Sequence, residues 1–130
     1  MTKETYCNFE ISKWLKDKGF DCKASEIYMA GGEALSVRNV KLTNKQLNAI
    51  NCVVRPTHQS AMAWLRNETL LHIEVHVVPH YNGHERASDW GYDFSIINPR
   101  TYTLEAKQGE YHTYEDAVDA ALIYIKKYLL

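Results

Sequence analysis

Apolar residues recur at helical spacing in three stretches of this chain and alternate with polar residues in several others. Ile11, Trp14 and Leu15 share one helical face while Lys13, Lys16 and Asp17 take the other, which predicts a helix over 8–18. Asn8 stands where an N-cap is wanted, because its side chain can accept a first-turn amide. Gly19 stands where a left-handed residue ends a helix, with Phe20 able to fold back on the last turn. Ala61, Trp64 and Leu65 form a second stripe behind Pro56, predicting a helix over 57–67 with Thr57 as its cap. Val118, Ala121, Leu122, Ile125 and Leu129 form a third, over 114–129. There Thr113 and Asp116 resemble a capping box, with acidic residues at the positive end and Lys126 and Lys127 at the negative end.

The period-two stretches are the strands. Residues 25–31 read as a short one, broken by Gly31-Gly32, and 34–42 as a second with Leu35, Val37, Val40 and Leu42 inward; the glycine pair joins them as a hairpin. Residues 43–51 read either as a short helix capped by Thr43 and carrying Leu47 and Ile50, or as a loop. Cys52 to Val54 is extended. The clearest strand is 70–78, with Leu71, Ile73, Val75 and Val77 on one face and His72, Glu74 and His76 on the other. A polar loop follows. Then come a strand at 91–97 (Tyr92, Phe94 and Ile96 inward, Asp93 and Ser95 outward), a turn at Asn98-Pro99-Arg100, and a strand at 101–107 with Tyr102, Leu104 and Ala106 on one face. Residues 108–112 read as a connector. Short hairpin connections favour an α+β fold: an antiparallel sheet with the three helices packed on one face, as a single domain over 1–130.

Composition changes this picture little. With 130 residues, 45% hydrophobic and 24% charged, the chain is an ordinary globular one able to fold without disulfides or metal. A formal net charge of -1 leaves no basic excess to attract nucleic acid. Three widely spaced cysteines, Cys7, Cys22 and Cys52, suit neither a disulfide framework nor a zinc site and read as reduced thiols. No apolar leader and no run of about 20 apolar residues is present, so the expectation is a cytoplasmic protein with no membrane partner.

Three segments carry a resemblance: YCNFEISKWLKDKGF, PTHQSAMAWLRNETLLHIEV and TYEDAVDAALIYIKKYLL. They resemble a family of small proteins of gut bacteria and their phages and prophages, with the pattern helix-LLKEKGF, then APTxxxAxxWLRE, then YEEAxxAAxxY. The likeness covers most of the chain and fails mainly in 38–51 and 80–90; NETLLHI stands here where the family has something like EVHNIHI. It implies a shared fold and a phage or mobile-element context. The family carries no established activity, so it implies no catalytic residue.

Candidate chemistry is sparse. His72, His76, His80 and His84 are four apart, but on a strand His72 and His76 stand about 13 Å from each other, too far for one ion. Neighbours two apart do better. His72, Glu74 and His76, joined by Asp93 or Glu105 from adjacent strands, can converge on a metal or form an acid/base site; the plain alternative is a solvated sheet face. Arg55 beside the helix start at Pro56-Thr57-His58-Gln59 can receive a small anion, and the plain alternative is an N-cap. A Cys52–His58 nucleophile pair has no local support, and Cys52 reads as a small buried hydrophobe. No phosphate loop, dinucleotide fingerprint or nucleophile elbow occurs. Tyr81, His84, Arg86, Asp89 and Trp90 fall in the 80–91 loop, where exposed aromatics can form a contact surface.

The leading reading is therefore a non-enzymatic binding module for a protein or small ligand, needing no cofactor, with homodimer formation by sheet edge or polar sheet face. The competing reading is a metal-assisted hydrolase holding Zn or Mn on the His72, Glu74, His76 face. A third is a weak single-stranded nucleic-acid binder using Arg86, Trp90 and Tyr81.

Overall fold

Asn8 caps α1 (Phe9–Asp17): its side-chain oxygen accepts the Ile11 amide at 2.8 Å. The helix closes in a Schellman arrangement. Gly19, at φ +95°, donates to the Lys16 carbonyl at 3.0 Å, and Phe20 donates to the Leu15 carbonyl at 2.9 Å. That bond turns the Phe20 ring inward, where it meets Trp64 edge-on with 5.6 Å between centroids. The computed structural model describes residues 4–37, 40–47, 50–79, 90–100 and 103–130. The chain divides into two compact units, Met1–Trp64 and Leu65–Leu130, the division falling inside a helix.

In the first unit, β1 (Glu26–Tyr28), β2 (Ala34–Ser36) and β3 (Val53–Val54) form an antiparallel sheet in the order β2-β1-β3. The glycine pair does turn β1 into β2: Met29 N–H reaches the Glu33 carbonyl at 2.8 Å and Gly32 takes φ +90°. The second strand is three residues long, not nine. Leu35 and Val40 are exposed, where the sequence places them inward, and Val37 and Leu42 are only half-buried. A short strand with β1 as its one neighbour has little to pack its side chains on. Residues 44–47 resolve into a helix, α2 (Asn44–Leu47), held by a reciprocal cap. Gln46 N–H donates to Thr43 Oγ1 at 3.3 Å, and Thr43 N–H donates to Gln46 Oε1 at 2.9 Å. Leu47 is buried and Ile50 exposed. Asn44, also buried, donates to the Phe20 carbonyl at 3.1 Å and accepts the Val54 amide at 2.9 Å. Ile11, Leu15, Phe20, Val54 and Ala61 are the apolar centre of this unit.

α3 (His58–Thr69) begins as expected, with Thr57 Oγ1 accepting the Ser60 amide at 3.1 Å. It runs two residues past the expected end at 67. Leu70, at φ +66°, closes it by donating to the Arg66 carbonyl at 3.1 Å.

The second unit holds β4 (His72–Pro79), β5 (Trp90–Asn98) and β6 (Thr103–Tyr111), antiparallel in the order β4-β5-β6. Residues 108–111, read from sequence as connector, are strand. Two irregularities let β6 follow β5 as far as Tyr92↔Tyr111, and they erase the alternation that would have marked it. α4 (Tyr114–Tyr124) is capped by Thr113 Oγ1, which accepts the Asp116 amide at 3.0 Å. It packs on all three strands, and Ala117, Val118, Ala121 and Leu122 are fully buried with Phe94 and Ile96. Its continuation, Ile125–Leu129, widens into a π-helical turn, with Leu130 N–H on the Ile125 carbonyl at 3.0 Å. Along β4, Leu71 and Ile73 are buried as expected, while Val77 on the same face is 57% exposed. Ser95, expected outward, is buried.

The protein is thus α+β with antiparallel pairing. Among the described residues its strands form two sheets rather than one, β2-β1-β3 and β4-β5-β6. Among the described residues no helix is long and apolar enough to cross a membrane.

Candidate functional site

Two places in the described structure gather chemistry. The first lies wholly in the first unit. The segment before α1, the end of α1's closing turn, β1 and the start of α3 enclose a cavity of about 240 Å³. Arg55 lines it. Its side chain is three-quarters buried, and its guanidinium lies 4.3 Å from the centroid of the Tyr6 ring and 5.5 Å from that of Tyr28. Its Nε–H donates to Tyr28 Oη at 3.3 Å, and Tyr28 in turn donates to the Cys7 carbonyl at 2.6 Å. Backbone bonds fix the strand beneath: Arg55 N–H reaches the Glu26 carbonyl at 2.8 Å. The guanidinium is therefore held from both ends of the side chain.

Glu26 is the carboxylate nearest Arg55, with Oε2 3.7 Å from Nη1. That exceeds the roughly 2.7–2.9 Å of a charge-assisted hydrogen bond, so Glu26 offsets charge without engaging the fork. Lys23, Lys41 and Glu4 complete the charged lining. Burial pushes the Tyr6 phenol above the ordinary tyrosine range; Glu4 and Glu26 push the same way, and Arg55 partly opposes them. The start of α3 also borders the cavity, and two of its first amides are used. His58 N–H donates to the Thr5 carbonyl at 2.9 Å and Ser60 N–H to Thr57 Oγ1 at 3.1 Å. Thr57 thus serves as the N-cap of α3.

The second place is the polar face of the second sheet. His76 and Asp93 are directly opposite on β4 and β5, and Nδ1 of His76 donates to Asp93 Oδ1 at 2.8 Å. Since a carboxylate only accepts, this bond puts a proton on Nδ1 and turns Nε2 outward, 3.5 Å from Glu74 Oε2. Asp93 is largely covered at 15% side-chain exposure, while His76 and Glu74 are open at 45% and 56%.

Of the candidates read from the sequence, the structure brings together Glu74, His76 and Asp93. His72 sits opposite Ile97, at the far end of the strand from His76. Glu105 falls at the irregularity between the pairs Ile97↔Leu104 and Ile96↔Ala106, whereas the residue opposite Asp93 is Gly109. Glu105 therefore lies four residues along β6 from the His76–Asp93 row. Among the described residues no group of three or more His, Cys, Asp and Glu side chains is arranged to hold a metal ion. Tyr81, His84, Arg86 and Asp89 lie outside the described residues; Trp90 opens β5 opposite Pro79. Cys52 is buried beside Met29, with the two sulfurs 3.8 Å apart, and His58 is bonded through Nδ1 to Thr5 Oγ1 at 2.7 Å.

The residues the sequence does not single out are Tyr6, Lys23, Glu26 and Lys41. They come from segments far apart in the chain, and the one local signal was the Arg55-Pro56-Thr57 start of a helix. Comparison with family models, with characterised proteins and with solved structures returns no match for this chain.

Proposed function

We propose that the protein is a non-enzymatic binding module and that the Arg55 cavity is where it takes a small polar ligand. The observation that carries this reading is the held guanidinium. An arginine fixed by two rings and a hydroxyl, lining a cavity and with its nearest carboxylate 3.7 Å away, beyond hydrogen-bond distance, is pre-organised for recognition at low entropic cost. The cavity is smaller than the roughly 300–1,000 Å³ of drug-sized sites, so the ligand is compact. The phage or mobile-element setting rests on the resemblance of the three sequence motifs. The expected homodimer has the outer side of β4 to use, which among the described residues pairs with no strand and whose ladder with β5 is regular over all eight residues. The test is a screen of compact polar compounds of both charges by amide chemical shifts. Saturable shifts should cluster at residues 6, 24–26 and 55–57 and vanish in Ser60→Tyr, whose ring fills the cavity. Shifts scattered elsewhere, or unchanged in that variant, overturn the assignment.

The competing reading, chemistry on the polar sheet face, is favoured by one observation, the Asp93–His76 bond. A carboxylate orienting an imidazole is the arrangement that presents Nε2 to a cation or a proton. Nε2 and Glu74 supply two donors, so Zn²⁺ binding through this face is expected to be weak and to disappear in His76→Ala. Zinc titration followed by calorimetry checks it; binding that survives His76→Ala removes this face from consideration.

A further inference from the structure

Building on the Arg55 cavity as a ligand site, we infer that its ligand is a small oxyanion, a carboxylate or phosphate on a compact body, that takes the Arg55 fork in place of Glu26. Three features of the cavity select this class.

The first is the state of the fork. Arg55 has five N–H donors in one plane. Nε–H goes to Tyr28, while Glu26 stands 3.7 Å from Nη1, a position that neutralises charge and leaves the bidentate geometry unfilled. An incoming oxyanion can make the two parallel bonds that Glu26 does not. The second is the charge around it. Lys23, Lys41 and Arg55 line the cavity against Glu4 and Glu26, an excess of one positive charge on a chain whose formal net charge is -1. Both lysines are exposed, so they attract an anion from solution without being committed to a buried pair. The third is the wall. Tyr6 lies against one face of the guanidinium, and Pro56 and Ala24 add apolar lining, so a compact apolar or planar body has a surface to rest on once the anionic head is bound. A cationic ligand would meet Glu4 and Glu26 but would place its charge beside three cations, and a neutral one leaves the fork unfilled.

Glu26 then acts as a stand-in anion that the ligand displaces. This gives the class a signature that a merely structural Arg55–Glu26 pair does not have: removing the stand-in should strengthen binding.

The experiment uses the full chain and four probes: inorganic phosphate, benzoate, benzylammonium and benzyl alcohol, titrated by amide shifts at 25–26 and 55–57. Phosphate, benzoate or both should bind saturably, the two arms telling phosphate from carboxylate. Arg55→Gln should weaken the better anion about 10- to 100-fold, the loss of charge-assisted bonds. Because Arg55→Gln also removes packing on Tyr6, two further variants carry the test. Glu26→Gln should tighten the anion several-fold, and Lys23→Ala with Lys41→Ala should weaken it and flatten its salt dependence. The ring of Tyr6 reports the sign of the bound charge. An anion adds to the influence of Glu4 and Glu26 and moves the phenol titration further up, while a cation moves it down. If benzylammonium or benzyl alcohol binds and neither anion does, the cavity remains a ligand site and the oxyanion class is overturned. If Glu26→Gln weakens the anion, the displacement is overturned. If no probe shifts these residues, the cavity assignment falls as well.

Discussion

Phe94→Ala should cost the protein about 3–5 kcal/mol, the range for emptying a fully buried aromatic site. Phe94 is 0% exposed and sits in β5, the strand paired on both sides. Its ring stacks on Tyr111 from β6 at 5.9 Å and meets Tyr124 from α4 at 6.4 Å. One side chain thus ties the central strand to a neighbouring strand and to the helix above. Ala117, Val118, Ala121 and Leu122 are also fully buried on that helix, and small residues at two of those positions bring its backbone close to the sheet. A close-packed interface of this kind has little freedom to collapse into the space a phenyl ring leaves. Against a total stability of roughly 5–15 kcal/mol, the variant is left marginal. Urea unfolding followed by far-ultraviolet circular dichroism checks this: the midpoint should fall by roughly 1–3 M. A fall of less than about half a molar would mean that the site repacks and that Phe94 does not carry the contact between sheet and helix. Phe94→Leu, which keeps most of the volume, should lose much less.

What the chain discloses about itself follows the range of the interactions involved. The Asn8 cap, the Gly19 closure, the Gly31-Gly32 turn and the Thr113 cap each depend on residues within about four positions, so residue type and spacing announce them. Thr43 and Gln46 are also local, but the residues between them are polar and Leu47 is the one apolar residue buried on this helix, so helix and loop read alike. The end of α3 was hidden for a different reason. Leu70 takes a left-handed conformation that sequence rules assign to glycine or asparagine, so nothing marked it as the closing residue. β6 was hidden because each of the two irregularities inserts a residue and shifts the alternation by one, so its phase flips twice along the strand.

The candidate sites divide in the same way. Glu74, His76 and Asp93 could be put on one face from alternation alone, and the direct pairing of His76 with Asp93 was the added fact. Glu105 was placed with them on the assumption of unbroken alternation, which the irregularity beside it removes. The Arg55 cavity could not be read in full, because Tyr6, Lys23, Glu26 and Lys41 reach it through the cross-strand bonds of a small sheet and through isolated pairings such as Tyr6↔Thr57 and Ala24↔Leu42. Only Arg55 and the helix start after it lay close enough in sequence to be seen together.

One such distant pairing runs through Asn44, which ties the turn after α1 to β3 beside the cavity-lining Phe20 and Arg55. Asn44→Ala should cost about 2–4 kcal/mol, because two buried backbone groups lose their partner at once. Its amide nitrogen donates to the Phe20 carbonyl at 3.1 Å, at the end of the turn that closes α1, and its oxygen accepts the Val54 amide at 2.9 Å, in β3. Asn44 is itself 5% exposed, so water does not readily replace either bond. Volume is not the missing quantity. Asn44→Leu fills the space with an apolar side chain of similar size and should recover little, since the Phe20 carbonyl and Val54 amide stay unpaired. Val54 directly precedes Arg55, whose own amide is bound to Glu26 at 2.8 Å, so loosening β3 also loosens the guanidinium that faces the cavity. Two measurements separate this account from a simple packing effect. Native-state hydrogen exchange should show the Val54 and Arg55 amides opening faster in Asn44→Ala than amides of α4. Urea unfolding should place Asn44→Leu well below the parent protein. An Asn44→Leu variant as stable as the parent would show that the two backbone bonds contribute nothing net, and the cavity would then owe its shape to apolar packing alone.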